Sequence, residues 1–357
     1  MSNTYFFYIA KYYSKNLIVI LMGMTVAITL IDYLQHSSQI PNSGNQAILY
    51  LFYTWEFRLS QFYPLAIVFS AVIVYMHLVQ SNTLVSLLSF GYSRKQLFAP
   101  FLLPAVVVYV GLIFLQAGEF SYARERAWSI LHHRQSNHVV DNLFFKYNDT
   151  FVYVKTLDPI EKTLKDVTVF TLKKGIVQSA ATLDLARFDG EYWVTRNAVL
   201  TQKKYTDQGV LEGFQRKNTG QYKLLRGYRP KVIELIYQGE SLSLVDAVNT
   251  YYVLVKQALN TSKIKAQFYN KTILPLFSLA IMAILFFKST YYVRYMNKEL
   301  VWVFGIGGTL VFWGLLYALY SLSSGGSISP DIAIVLPVAL IVLYAVYLYI
   351  DGGKKLA

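Results

Sequence analysis

Apolar stretches without charged residues alternate with short polar connections over more than half of the chain. Six of these stretches are long enough, or nearly so, to cross a hydrocarbon core, which takes about 20 helical residues. They cover residues 16–31, 59–81, 97–118, 272–287, 300–322 and 332–350. The first and fourth are short and can be completed by flanking residues. The pattern predicts six transmembrane helices.

The middle of the chain has a different pattern. From residue 143 onward, short runs of alternating apolar and polar residues are separated by turn-forming pairs such as Asn148-Asp149 and Asp189-Gly190. Closely spaced short strands of this kind are typical of a β-sandwich or jelly roll. The runs cover residues 143–147, 151–157, 167–172, 176–180, 182–188, 192–202 and 210–216. The predicted fold class is therefore an α-helical polytopic membrane protein with an all-β, jellyroll-like domain.

Helical character is expected on both sides of the β domain. Residues 119–134 contain neither Pro nor Gly, so the third helix is predicted to continue through about His133, and helical character returns over residues 242–266. The predicted division is an interfacial helix and transmembrane helices 1–3, then the β domain with its helical flanks, then transmembrane helices 4–6 with the tail. These three parts cover residues 1–118, 119–267 and 268–357.

The composition also indicates a membrane protein. Hydrophobic residues make up 55% of the chain and charged residues 15%, against roughly 25% charged residues in soluble domains. Residues 119–271 hold 38 of the 53 Asp, Glu, Lys and Arg residues, which indicates that this part alone faces water. The net charge of +13 sits beside membrane segments or is spread over the middle domain, so no nucleic-acid partner is expected. Without Cys, the chain can form no disulfide, Cys-ligated zinc site or thiol nucleophile.

The basic residues of the short loops predict the orientation. Lys and Arg collect in short cytoplasmic loops. Nine of the ten basic residues outside the middle domain fall on one side of a six-helix topology, and Arg58 alone falls on the other; the nine are Lys11, Lys15, Arg94, Lys95, Lys288, Arg294, Lys298, Lys354 and Lys355. Both termini are therefore predicted to be cytoplasmic and the middle domain periplasmic. Residues 1–15, which carry aromatic residues and two lysines, suit an amphipathic helix along the inner surface.

Motifs of nucleotide hydrolysis and of enzyme catalysis are absent from the sequence. There is no G-x-x-x-x-G-K-[ST], H-E-x-x-H or G-x-S-x-G motif, so the chain is not expected to hydrolyse ATP itself or to hold a cofactor. His132, His133 and His138 are interpreted either as a metal site or as solvated histidines beyond a membrane helix. Asp32, the one acid inside an apolar run, is interpreted either as a capping or interfacial residue or as a proton relay.

The connection between the second and third apolar stretches predicts a short amphipathic helix. Leu84, Leu87 and Leu88 stand at helical spacing within residues 82–96, and a glycine stop at Gly91 and basic residues follow. Two interpretations remain open, an ordinary interfacial connector and a helix that docks on a partner.

Several motifs occur in the order and spacing of a known family. They are Ile31-Asp32-Tyr33-Leu34, Leu84-Val85-Ser86-Leu87 with Gly91-Tyr92-Ser93, Glu119, Trp193 with Asn197-Ala198, Lys271 with Pro275, and Ser329-Pro330-Asp331. With these motifs the chain resembles, over essentially its whole length, the LptF/LptG (YjgP/YjgQ) permeases of the lipopolysaccharide export ABC transporter. The Ile-Asp-x-Leu sequence favours an LptG-like member.

The resemblance implies a half-transporter with no cofactor and no enzymatic activity of its own. A paired LptF/LptG-type permease would complete a cavity in the bacterial inner membrane that takes lipopolysaccharide from the outer leaflet. Jellyroll partners similar to LptC and LptA would receive the lipid in the periplasm. A separate cytoplasmic LptB-like ATPase dimer would hydrolyse ATP.

The resemblance also implies sites for coupling and gating. The ATPase-coupling helix would comprise Thr83, Leu84, Leu87, Leu88, Gly91, Ser93 and Arg94, with Thr83 where the family usually has Glu. Small residues that let the helices of a lateral gate approach and shift are Gly23, Gly305, Gly307 and Gly308. Thr29 lies one turn before Asp32, where some relatives carry a basic residue for lipid phosphate.

Basic residues near the outer ends of the helices are candidates for binding that phosphate. Helical spacing puts Arg126 and Arg134, eight residues apart, on one face, whereas Arg124 is predicted to point elsewhere. Anchoring at the membrane interface by snorkelling is the alternative role for each. The lipid-binding candidates are Arg58, Arg126, Arg134, Lys271 and Asp32.

Two other functional classes are the alternatives to this one. A lipoprotein-release or efflux permease usually has its large domain after the first segment, whereas here the domain follows the third. A membrane-bound enzyme acting on lipid or cell wall would need a convergent acid, nucleophile or metal cluster, which the sequence does not indicate.

Overall fold

The computed structural model describes residues 4–41, 43–131, 140–147, 150–158, 161–173, 176–205, 211–230, 233, 242–256 and 261–351. The chain forms two compact units. The first comprises Met1–Leu131, Ser243–Ala247 and Thr261–Ala357, and the second comprises His132–Leu242 and Val248–Asn260. The first unit is helical, and the second contains the β-sheet.

The apolar segments form long helices. The described helices are α1 (Thr4–His36), α2 (Gly44–Gln80), α3 (Thr83–Ser89), α4 (Arg94–Leu115), α5 (Ala123–Leu131), α6 (Leu244–Lys256), α7 (Ser262–Thr272), α8 (Leu276–Lys288), α9 (Lys298–Trp302), α10 (Thr309–Ser324) and α11 (Leu336–Asp351). The π-helical turns Val303–Gly308 and Asp331–Val335 lead into α10 and α11. Within the described ranges, five helices are long and apolar enough to cross a membrane, and α7 with α8, bent by 41°, makes a sixth span if the two are one. The predicted polytopic helical fold is confirmed.

The predicted surface helix and the first transmembrane helix are one element. α1 is uninterrupted over its 33 residues. Ile9, Tyr13 and Leu17 follow one another at intervals of four, are at most 1% exposed and lie in the main hydrophobic core. Because this buried stripe runs directly into the membrane segment, the described part of residues 1–15 does not form a separate surface helix.

The second helix is longer than its apolar stretch. α2 begins at Gly44, so most of the connection predicted before residue 59 is helical. Tyr50 and Thr54, one turn apart in this extension, are buried. Polar and aromatic residues mixed at these positions hide the helix from a hydropathy window, although they pack like the rest of α2.

The third segment does not continue as one helix to about His133, as was predicted. α4 ends at Leu115, and Gly118 has an extended backbone with φ −111° and ψ −152°. The 3-10 turn Glu119–Tyr122 follows before α5 begins. The break lies at the glycine immediately before the Pro- and Gly-free run, which is why that run alone did not indicate it.

The chain segments that lead into and out of the β domain are hydrogen bonded to each other inside the helical unit. The Leu244 backbone N–H donates to the Gln116 carbonyl at 3.1 Å. The Tyr122 hydroxyl donates to the Asp246 carboxylate, which also accepts the Ser243 hydroxyl at 2.8 Å. Burial and the Asp246 carboxylate raise the pKa of Tyr122, so its hydroxyl remains a donor at neutral pH. These bonds hold the first turn of α6 beside the end of α4.

The second unit contains one antiparallel sheet, which confirms the predicted β domain. Its strands are β1 (Val140–Tyr147), β2 (Thr150–Asp158), β3 (Thr163–Lys173), β4 (Ile176–Phe188), β5 (Trp193–Thr195), β6 (Ala198–Tyr205), β7 (Leu211–Thr219) and β8 (Tyr222–Leu224). The order is β1-β2-β3-β4-β5-β8, and β6 pairs with both β4 and β7. The sheet branches at β4, because residues 179–183 pair with β6 whereas residues 187–188 pair with β5.

Several strand bounds differ from the prediction, β8 was not predicted, and the predicted runs are divided differently at two places. Residues 176–180 and 182–188 form the single strand β4, since the buried Ala181 between them continues the ladder. Residues 192–202 divide into β5 and β6 on either side of residues 196–197. Trp193 is fully buried in the domain core, and its indole N–H donates to the Tyr228 carbonyl at 2.6 Å.

Candidate functional site

The predicted coupling helix is present as α3. Its leucines face the chain itself, since Leu84 is fully buried and Leu87 and Leu88 pack against the main core. The outward side carries Ser86 and, immediately after the helix, Phe90, which is 74% exposed. A partner that docks here therefore meets hydroxyls and one exposed aromatic ring rather than the leucine stripe.

The turn between α3 and α4 is fixed by capping bonds on both of its sides. The Tyr92 N–H donates to the Leu87 carbonyl at 3.2 Å and the Gly91 N–H donates to the Leu88 carbonyl at 3.0 Å, which is a Schellman motif. Gly91 has φ +86°, a conformation that favours glycine. Ser93 and Gln96 then form a reciprocal capping box at the start of α4.

Two further members of the predicted coupling site have local partners. The Thr83 hydroxyl lies 2.7 Å from the Ser81 hydroxyl. The Arg94 guanidinium lies 4.7 Å from the centre of the Tyr291 ring. Neither side chain is extended away from the protein, so both support the position of α3 in the isolated chain.

At the opposite end of α1, the structure assembles a charged cluster around Asp32. The Arg58 guanidinium pairs with the Asp32 carboxylate. The same carboxylate accepts the Tyr50 hydroxyl at 2.6 Å and lies 3.1 Å from the His36 Nδ1. Arg58 also donates to the Gln61 side-chain oxygen at 3.2 Å. The Asp32 carboxylate thus binds side chains of both α1 and α2.

These residues line a cavity of about 250 Å³. This is well above the space that one water needs. The remaining wall comes from α2, α5 and α10 and includes Arg124, Trp128 and Tyr317. Asp32 is the one acidic residue among the described residues that line it, against two arginines. The cavity therefore has the charge and the volume to receive an anionic group.

The two arginines of the cavity share one aromatic neighbour. The guanidinium carbons of Arg58 and Arg124 lie 5.2 Å and 5.5 Å from the centre of the Phe57 ring. The Arg58 Nε is buried and has no hydrogen-bond acceptor among the described residues. An unsatisfied buried guanidinium N–H is costly, about 1–3 kcal/mol or more. The Arg58 guanidinium therefore keeps one N–H donor without an acceptor among the described residues.

Not all predicted lipid-binding residues lie in this cavity. Arg126 pairs with Glu119 outside the cavity wall, and its guanidinium lies over the Tyr53 ring at 5.5 Å. Lys271 is in the last turn of α7 and is not part of the cavity wall. Arg134 lies outside the described residues.

Arg124, which the sequence analysis set aside, lies in the cavity instead. It stands with Ala127, Trp128 and Leu131 at the spacing i, i+3, i+4, i+7, and all four line the cavity. That spacing marks one face of a helix and was available in the sequence. The prediction instead favoured the helical face shared by Arg126 and Arg134. Arg134 lies outside the described residues.

The gate glycines differ from one another. A Cβ added at Gly305 would lie 2.7 Å from the Val72 Cγ2, so this glycine permits close contact between the π-helical turn and α2. At Gly23, Gly307 and Gly308 an added Cβ would meet nothing within 4 Å. Of these four glycines, only Gly305 is required by packing within this chain.

Metal chemistry has no support in the described part of the chain. No group of three or more His, Asp or Glu residues there is arranged to hold a metal ion. The histidines at positions 132, 133 and 138 lie outside the described residues.

The chain is similar to a known permease family. The family model described as lipopolysaccharide export system permease LptF/LptG matches residues 7–351, which include both units. No curated protein matches the chain.

Proposed function

The chain belongs to the LptF/LptG family of lipopolysaccharide export permeases, and we propose that it forms one of two permease subunits of an ATP-driven exporter. As a member of this family with five to six membrane-length helices, it is a multi-pass inner-membrane protein. The proposal rests on a helical unit that has residues 83–94, here called the docking segment, at one end and the arginine-lined cavity at the other.

The docking segment would bind a separate cytoplasmic ATPase of the LptB kind. Phe90 supports this role, because a large aromatic side chain that is exposed beside a rigid helix is a typical interface anchor. The Schellman motif and capping box hold that anchor in place before the partner arrives. Both chain termini and this segment are then cytoplasmic, in accord with the distribution of basic residues.

The cavity would bind a phosphate group of lipopolysaccharide. Arg58 and Arg124 supply guanidinium groups, which bind phosphate oxygens in a bidentate manner. In the free chain Asp32 partly neutralises Arg58, so a phosphate would compete with this carboxylate for the same donors. Arg126 and Lys271 would act outside this site, as interface anchors.

The apolar faces of α1 and of segment five would meet the paired permease. Ile18, Val19 and Met22 on α1 are at least 42% exposed, and Val311 and Leu315 on α10 are at least 58% exposed. Such faces are compatible with lipid and with a second permease. The lipid would then pass to the periplasmic β domain and onward to jellyroll partners similar to LptC and LptA.

Photo-crosslinking from the cavity tests the lipid site. A photoreactive phenylalanine analogue in place of Trp128, which is 48% exposed, would be placed in the complete exporter in liposomes with lipopolysaccharide. Arg58→Gln and Arg124→Gln should each lower the crosslinked lipid about tenfold, as expected from loss of a charge-assisted hydrogen bond. Arg126→Gln, a matched control outside the cavity, should stay within about twofold of the parent.

Two further measurements separate binding from misfolding. ATP hydrolysis without lipid should persist in all three variants, because the ATPase is a different subunit. The pair Asp32→Asn with Arg58→Gln avoids an uncompensated buried carboxylate and should show the same loss of crosslinking. Equal crosslinking in the cavity variants and in the control would place the phosphate site elsewhere.

A further inference from the structure

Aromatic side chains of α1 contact the docking segment at one position and the end of α2 just before it at another. The Tyr5 and Tyr92 rings lie 4.2 Å apart, centre to centre, immediately after the docking helix. The Tyr12 ring lies 5.2 Å from the His77 ring, in the last turn of α2 and just before that helix. Because α1 contacts Tyr92 in the docking segment and His77 just before it, we expect α1 to move with that segment.

The same helix reaches the charged cavity. α1 has no break between Tyr5 and Asp32, and 27 residues at a rise of 1.5 Å per residue span about 40 Å. Asp32, near the far end of α1, holds Arg58, which belongs to α2. The two partners of this ion pair therefore lie on different helices, and both helices contact the docking segment.

The two helices are not equally stiff. α2 is joined covalently to the docking helix, but it contains Pro64 between Arg58 and that helix. A proline inside a helix removes one backbone hydrogen bond and favours a bend. α1 has no proline over its whole length. Movement of the docking segment is therefore carried to the cavity along α1 more directly than along α2.

We propose that Tyr5 is a positioning residue that makes α1 follow the docking segment, so that docking movements shift Asp32 against Arg58. The inference rests on the proposed function, since it assigns the means by which ATP hydrolysis reaches the lipid cavity. Moving Asp32 away from Arg58 would free the guanidinium for an incoming phosphate. Moving Asp32 back would restore the ion pair after the phosphate leaves. Tyr5 would touch neither lipid nor nucleotide.

The test measures lipid transferred per ATP hydrolysed by the complete exporter in liposomes. Tyr5→Ala should lower this ratio about fivefold, in line with the loss of one aromatic pair, while ATP hydrolysis continues. Tyr5→Phe keeps the ring and should restore the ratio. Tyr8→Ala is the matched control, because Tyr8 lies on the same helix and is 56% exposed.

A double-variant comparison checks that Tyr5 acts through Tyr92. If the two rings act as one contact, Tyr5→Ala combined with Tyr92→Ala should lower the ratio no further than either change alone. Where an alanine variant does not assemble, Tyr5→Leu and Tyr92→Leu keep the apolar volume without the ring and decide the question. A parent complex that moves no lipid would refute the proposed function. A working parent in which Tyr5 variants match Tyr8→Ala would refute the coupling role alone.

Discussion

Gly305→Ala is the most direct test of the packing between segment five and α2. Among the glycines of the described chain, it is the one at which an added Cβ would lie below 3.0 Å from another side chain, at 2.7 Å from the Val72 Cγ2. Optimal carbon contacts are about 3.5–4.0 Å, so the helices or the valine must move by about 1 Å. Val72 is only 2% exposed, which limits where its methyl groups can go.

The expected magnitude follows from overpacking. Extra methyl groups in a packed core cost about 1–3 kcal/mol. In the opposite direction, replacing a helical glycine by alanine stabilises the helix by up to about 1 kcal/mol, because alanine has the higher helix propensity. Gly307→Ala gains that propensity without the clash, because nothing lies within 4 Å of its added Cβ. The difference between the two variants should therefore be about 1–3 kcal/mol, with Gly305→Ala the less stable.

Thermal unfolding of the purified chain in detergent measures this difference. Gly305→Ala should unfold at a lower temperature than the parent and Gly307→Ala at the same temperature or higher. Adding Val72→Ala to Gly305→Ala removes the clashing methyl groups and should recover part of the loss. Equal unfolding temperatures for the two glycine variants would refute the close contact.

Three further predictions concern other parts of the chain. Gly91→Ala should destabilise the docking segment by about 1 kcal/mol, because its φ of +86° is unfavourable for alanine, and hydrogen exchange of the amides after α3 should accelerate. Leu84→Asp should prevent correct folding, whereas Ser86→Asp, on the exposed side, should fold normally and weaken ATPase binding in a pull-down assay. Trp193→Phe leaves the buried Tyr228 carbonyl without its indole donor and should lower the unfolding temperature of the β domain by an amount equivalent to about 1–3 kcal/mol, seen by near-ultraviolet circular dichroism.

Hydropathy predicts the membrane helices here because lipid contact demands long uncharged stretches. It underestimates α1 and α2, because Lys15 and Arg58 bound the uncharged stretches that begin at residues 16 and 59, whereas both helices begin before these charges. The β domain follows from alternation and turn residues, but the branching of β4 depends on pairing between distant strands. Local sequence carries no signal for such pairing.

The candidate site is predicted in part for a similar reason. Asp32 stands out as the one acid inside an apolar run and Arg58 as the one short-loop basic residue on the outer side. Their pairing requires knowing that α1 and α2 are antiparallel neighbours. Arg124 was not favoured because the prediction chose the helical face shared by Arg126 and Arg134, and Arg134 lies outside the described residues. For α3, the sequence predicts that the leucines share an apolar face. It does not predict whether that face packs against this chain or against a partner.

The bonds that fasten α4 to the first turn of α6 make the β domain an insertion in a structural sense. The chain leaves the helical unit after Leu131, returns to it over Ser243–Ala247 and rejoins it at Thr261. The Gln116–Leu244 and Tyr122–Asp246 bonds join the two sides of the first excursion without any residue of the sheet. Domains inserted between ends that lie close together can be exchanged without disturbing the host. We therefore expect the helical unit to keep its fold when the sheet of the β domain is exchanged for another.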